Sequence, residues 1–429
     1  MNESIQQMVR PGKCIDVYYP DPETAKKQCF RTTQNTRFVQ QFANLSGGSS
    51  VLTIPPNNGV QDIVLTFELP DLTPAAANGL GLNRGWGYSL IKQVSFRYGG
   101  SSQYFISGQQ LLQNATRKSP NGTARDDLLA LGGSALSAAG LASGPNFAYV
   151  WLSLPHTHPS AEGKLPPLPT DLLTQQVQIT CELYPVSSIF SVASGSTGTI
   201  PQALASAEFQ VQQILLENQG DALARRVDMT QNALSYPIEF TQQEVQIPVA
   251  VGISPDQSTK SVTLTGFRSG EVKNIQVWLT RDGDYTGAIK NPSRWIAPEN
   301  IVMTYAGEIF ARFDAGSAAI WNLVNGRLTP ALNDITLADA GGAVVSITTP
   351  SLDQWVELPF GQSYDSVTAH TMYMAGKPIT NGIVNLQFTV PATYPGTTTP
   401  LDAGSYTLRV SYIYNAVLVF SAGSCDFVF

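Results

Sequence analysis

The chain has 429 residues and a formal net charge of −7, with 43% hydrophobic but only 13% charged residues. That length exceeds one ordinary domain and leaves room for two cores, while the charged share is about half of what a typical soluble domain carries. No Lys/Arg block suggests a nucleic-acid groove, no run reaches membrane-spanning length, and the four cysteines make neither a metal knuckle nor a redox pair.

Gln, Asn, Ser and Thr replace the missing charge, and such a surface is poor at keeping copies of a chain apart. Burial against other copies is one explanation, and a polar-surfaced secreted monomer is the other. The start of the chain lacks the apolar core of a signal peptide, so a soluble protein outside the general export route is expected.

Residues 1–37 read as an arm interrupted by Arg10-Pro11-Gly12 and Tyr19-Pro20-Asp21-Pro22, with a short helix at Asn2–Met8. Before Gln40 there are six Lys/Arg against four Asp/Glu, a slight positive bias. A first β-rich unit is expected over 38–186. Val51 and Thr53 precede a Pro-Pro-Asn-Asn-Gly turn, and Ile63, Leu65, Phe67 and Leu69 then share one strand face. Tyr88–Phe96 reads as the next strand, ending at Tyr98-Gly99-Gly100. Gln109–Arg117 and Asp126–Ala139 read as helices, the second weakened by Gly132-Gly133. Tyr149–Leu154 resumes the sheet, Pro155–Pro169 is a proline-rich loop, and Val177–Leu183 alternates cleanly. Cys181 in that run is expected in the core; Cys14 and Cys29 read as free thiols, although they could pair.

The stretch 187–235 reads as a linker with a short helix at Ala222–Met229. Within it Phe209–Leu216 has an ambiguous period and suits a strand or a helix. A second unit is expected over 236–429. Val245, Ile247, Val249 and Val251 share a face, Val272–Leu279 alternates, and strands follow at Ile309–Phe313, Ala343–Ile347, Trp355–Leu358, Ile383–Val390 and Tyr406–Tyr414. The end is apolar through Phe429, which suggests a docked terminus. The two units repeat the same order of elements. The expected fold is all-β, with two consecutive eight-stranded antiparallel sandwiches of the jelly-roll kind and long insertions. Periodicity alone does not separate a jelly roll from an immunoglobulin-like sandwich.

Gly87–Gly100, the amide-rich Gln109–Asn114 after it, the apolar strand Tyr149–Leu154 with Pro155, and the restated Leu-Pro of Trp355–Phe360 together resemble the double jelly-roll major capsid proteins of icosahedral DNA viruses. The helix departs from eukaryotic members, where an acidic and aromatic one is usual. The resemblance implies trimers of pseudo-hexagonal outline, since each chain supplies two rolls. It implies that the insertions Gly99–Phe147 and Thr280–Ser346 supply towers and trimer contacts. It also implies an inward-facing arm near a membrane or neighbouring capsomers, and contacts with vertex or minor capsid proteins, in a virion. Trp86, Tyr104, Trp295 and Phe429 are the candidate subunit-contact residues. No cofactor and no specific nucleic acid is implied.

Chemistry finds little support. His156-Thr157-His158 lacks a local third metal ligand, and Asp282-Gly283-Asp284 lacks the later acidic residue of a calcium loop. No nucleophile elbow surrounds Ser153 or Ser160. Two other classes stay open at this point. One is a two-domain carbohydrate-binding or glycan-hydrolysing protein, with Trp86, Tyr88, Tyr98, Tyr104 and Phe105 as a sugar platform; the other is a virion spike or vertex protein.

Overall fold

The computed structural model describes residues 32–429 except 56–58, 100–102, 118–121, 156–158, 161–162, 165–167, 169, 171–172, 217–233, 253–257, 289, 291–294, 315–332, 339–343, 350–354, 360–376, 380–382, 394–399 and 422. The expected helices at Asn2–Met8 and Ala222–Met229, Cys14, Cys29 and all three histidines lie outside the described residues.

The first unit contains eight principal strands: β1 (Thr32–Gln41), β2 (Gly48–Ile54), β3 (Val60–Leu69), β4 (Ile91–Arg97), β5 (Gln103–Ile106), β6 (Asn146–Trp151), β7 (Val177–Leu183) and β8 (Ser206–Leu216). They pair as two antiparallel sheets, β1-β8-β3-β6 and β2-β7-β4-β5. Period-two alternation sends Ile63, Leu65 and Phe67 of β3 and Ala207, Phe209 and Val211 of β8 inward. They belong to one core with Leu52, Val94, Phe96, Ile179 and the buried Cys181 of the facing sheet. Phe42 closes one end, its ring stacked on Phe209 at 4.2 Å and edge-on to Phe67 at 5.8 Å.

The second unit repeats this scheme with β9 (Leu234–Thr241, resuming as Val245–Val251), β10 (Thr259–Leu264), β11 (Glu271–Arg281), β12 (Glu299–Tyr305), β13 (Glu308–Phe313), β14 (Val356–Pro359), β15 (Val384–Thr389) and β16 (Gly404–Ser421). The pairing order is β9-β16-β11-β14 in one sheet and β10-β15-β12-β13 in the other. By position this is first-eighth-third-sixth and second-seventh-fourth-fifth in both units. That shared order is the double jelly roll. A last strand, β17 (Ser424–Val428), turns back on the end of β16.

Several sequence boundaries move. Ser206–Leu216 is no part of a linker: it is hydrogen-bonded on both sides, to β1 and β3, and closes the first roll. Its period is ambiguous only in its apolar second half, and the flanking strands decide it. The pairing of β1 likewise draws residues 32–37 out of the arm. Tyr406–Tyr414 and Ala416–Phe420 are one 18-residue strand. The strand expected from Tyr88 begins only at Ile91, after a helical turn α1 (Trp86–Leu90). Trp86 and Tyr88 are buried in that turn, and a glycine lets the Trp86 ring in: a Cβ at Gly133, where φ is +116°, would stand 2.4 Å from the indole nitrogen. Two more helices follow β5, α2 (Gly108–Arg117) and α3 (Gly122–Leu131), and α3 stops at the glycine pair rather than running to Ala139.

Candidate functional site

Helix α2 lies between the two rolls and is buried on two faces. Leu111, Leu112 and Ala115 belong to the apolar core, whereas Gln110, Gln113 and Asn114 are equally buried among polar partners. The amide of Gln110 donates to the Gln242 carbonyl at 2.8 Å and to the Ser411 hydroxyl at 2.5 Å, and Asn114 donates to the Thr241 hydroxyl at 3.3 Å. Gln109 donates to the phenol of Tyr285. Ser411 and Thr241 project outward from β16 and β9, because their neighbours Val410, Tyr412 and Phe240 occupy the alternate positions. The first roll therefore covers the outward face of the second roll's first sheet.

That covered face is polar and internally paired. Glu357 accepts from the amides of Asn274 at 2.6 Å and Gln276 at 3.3 Å, all three buried. Lys273, at a bulge in β11, donates to Glu239 of β9, with side-chain exposures of 0% and 5%. Arg409 donates to Glu244 and, through Nε, to the Thr280 hydroxyl at 2.9 Å, while its guanidinium stands 5.2 Å from the centre of the Tyr285 ring. Burial pushes the Tyr285 and Tyr104 phenols well above their ordinary value, so both stay protonated donors in the seam.

Three further straps cross the seam. The Lys290 carbonyl accepts from Ser191 at 3.1 Å and from Asn83, and the Val192 amide donates to the Ala288 carbonyl at 2.8 Å. Burial lowers the Lys290 ammonium below its ordinary value. The Gly423 carbonyl, in the turn before β17, accepts from the Thr174 amide at 2.8 Å and hydroxyl at 3.0 Å. Phe427 wedges between the rolls, 5.2 Å from Tyr98 and 5.0 Å from Phe240 by ring centres.

Of the four residues singled out for subunit contact, three are interior. Trp86 fills the first roll. Tyr104 meets Phe240 edge-on at 5.2 Å in the seam, and Trp295 joins Trp278 and Trp355 in a buried cluster at 6.4 and 5.7 Å. None of them reaches a neighbouring chain from there; their large apolar rings are worth more inside. Tyr88 and Tyr98 are buried too, so the sugar platform does not exist as a surface. Phe429 alone is partly open, at 38%, with its ring against Phe240 and Tyr414. Asp282-Gly283-Asp284 opens a single helical turn, Asp282 accepting from Thr407 at 2.9 Å. Among the described residues no group of three His, Cys, Asp or Glu side chains could hold a metal ion.

The helix in the seam corrects the expectation that Gly99–Phe147 serves only towers and contacts between chains. Its signal was in the sequence: Gly108–Ala115 has no charged residue, although a helix with a solvated face normally carries several.

The chain matches no known family profile and no curated protein sequence. Solved structures do resemble it. The capsid of the virus PBCV-1 aligns with a TM-score of 0.64 over 93% of this chain and 98% of that one, at 16% identity. The Sputnik virophage structure aligns at 0.56, covering 93% and 89% at 12% identity. The major capsid protein of mavirus aligns at 0.53, covering 93% and 90% at 11% identity. At such identities the likeness is one of fold, and it extends over both rolls: the chain has the double jelly-roll fold seen in these viral capsid proteins.

Proposed function

We propose that this chain is a major capsid protein, forming trimeric capsomers of pseudo-hexagonal outline in the shell of an icosahedral virion. One observation carries the reading: two rolls of identical strand order, joined side by side through a buried seam, align end to end with capsid chains. Six similar rolls fill a hexagonal lattice position with only three chains, and self-complementary surfaces let the lattice close. The low charge content fits a surface that is largely covered by neighbours. The work is binding and geometry rather than catalysis, and the place of action is the virion. Vertex or minor capsid proteins, and an internal membrane met by the mildly basic arm, are the further partners of this reading.

Electron microscopy of the purified chain tests it, with trimers of hexagonal outline as the expected particles. Sedimentation as a stable monomer at micromolar concentration would sink the reading.

A further inference from the structure

The two rolls bear the same outward face but cover it differently. In the second roll that face lies beneath α2, with Ser411 and Gln276 fully buried. In the first roll the corresponding face, formed by alternate residues of β1, β8, β3 and β6, has nothing of this chain over its edges. One row crosses it as Gln41, Glu208, Thr66 and Tyr149. The centre is polar and self-paired: Gln41 donates to Glu208 at 2.6 Å, and Gln210 donates to the other Glu208 oxygen at 3.2 Å. Both edges are apolar and open. Val39 is 43% exposed on β1, and on β6 Phe147 and Tyr149 are 40% and 39% exposed, their rings stacked at 6.2 Å.

Strand β6 is a sheet edge, hydrogen-bonded only to β3, and its six residues include no charge and no proline. Chains that stay apart normally blunt such an edge with one or the other. The duplication says what covers it. Inside the chain, the helix side of roll one sits on the outward face of roll two. That leaves over the outward face of roll one and the matching side of roll two. Joining these two between chains is a head-to-tail contact, which closes into a ring when the rotation permits.

We infer that a second copy of this chain seats its second roll on the outward face of the first roll, across Val39, Phe147 and Tyr149, repeating between chains the contact made within one. The inference rests on the capsid reading and adds to it the face that carries the contact.

The test is sedimentation velocity of the full chain across micromolar concentrations, with Phe147→Glu/Tyr149→Glu as the probe. Ile309→Glu, at a 66% exposed position on β13 of the second roll, is the control. Val39→Asp, on the opposite edge of the same face, is the second probe, so that loss of folding in one probe leaves the other to decide. Association should weaken by about thirtyfold or more in each folded probe, as for centrally placed contact residues, with circular dichroism unchanged and the control behaving as wild type. A wild-type oligomer that the folded probes leave intact, or that only the control dissociates, overturns the assignment of the face and spares the capsid reading. A wild-type chain that never associates overturns both.

Discussion

Lys273 and Glu239 show how much the seam depends on pairing. Both side chains are out of solvent, and removing two charges from water costs more than a surface ion pair returns unless geometry is good. Removal of one partner strands the other in a low-dielectric site. Lys273→Met should therefore destabilise the chain by about 3–5 kcal/mol, whereas adding Glu239→Leu should restore most of the loss. Urea unfolding of the two variants checks this. A double variant as unstable as the single one would show that the pair is held for its hydrogen bonds to other groups and not for its mutual charge. Nothing in the sequence joined these two positions. They lie on strands separated by β16, and the bulge that turns Lys273 toward Glu239 has no signature in the residues around it.

Among elements, α2 is the least tolerant of displacement. Its first residue, Gly108, is so close to the preceding turn that a Cβ there would lie 2.1 Å from the Tyr88 carbonyl oxygen and 2.5 Å from that of Ile91. Neither oxygen belongs to a flexible side chain, so Gly108→Ala must push the whole helix off its seat and loosen the Gln110 and Asn114 hydrogen bonds with it. The expected loss is about 1–3 kcal/mol, the usual range for overpacking. Denaturant midpoints measure it, and an unchanged midpoint would mean that α2 can slide without consequence. The strands around it were far more legible than the helix itself. Where one face is buried and the other is wet, as in β3 and β7, alternation gave the element and its inward side together. The method failed where both faces are buried. Strand β11 and helix α2 bury polar residues on one side and apolar residues on the other, so a rule that equates burial with apolarity reads half of each wrongly. The same failure sent Trp86, Tyr104 and Trp295 to the surface: an aromatic ring in a turn-rich stretch looks like an anchor for another chain until tertiary packing shows it anchoring this one.

At the scale of the molecule, the four connections across the seam come from distant parts of the sequence. They are α2, the loop held at Lys290, the turn at Gly423 and the aromatic wedge of Phe427. No single roll can open without breaking contacts to the other, and the polar face beneath α2 would be left with unpaired amides and carboxylates if it did. Two domains of this size joined by a loose tether would melt separately. These two should instead unfold in one transition, with calorimetric and van't Hoff enthalpies in agreement. Truncation after Ser421 removes β17, and with it both Phe427 and the Gly423 carbonyl that holds Thr174. It should split the single transition into two or lower it markedly, by scanning calorimetry. Two well-separated transitions in the intact chain would defeat the idea of a rigid pair. Rigidity of this kind also bears on assembly: a ring in which contacts within chains and between chains are alike closes only if the angle between the rolls of each chain is fixed beforehand, and the seam is what fixes it.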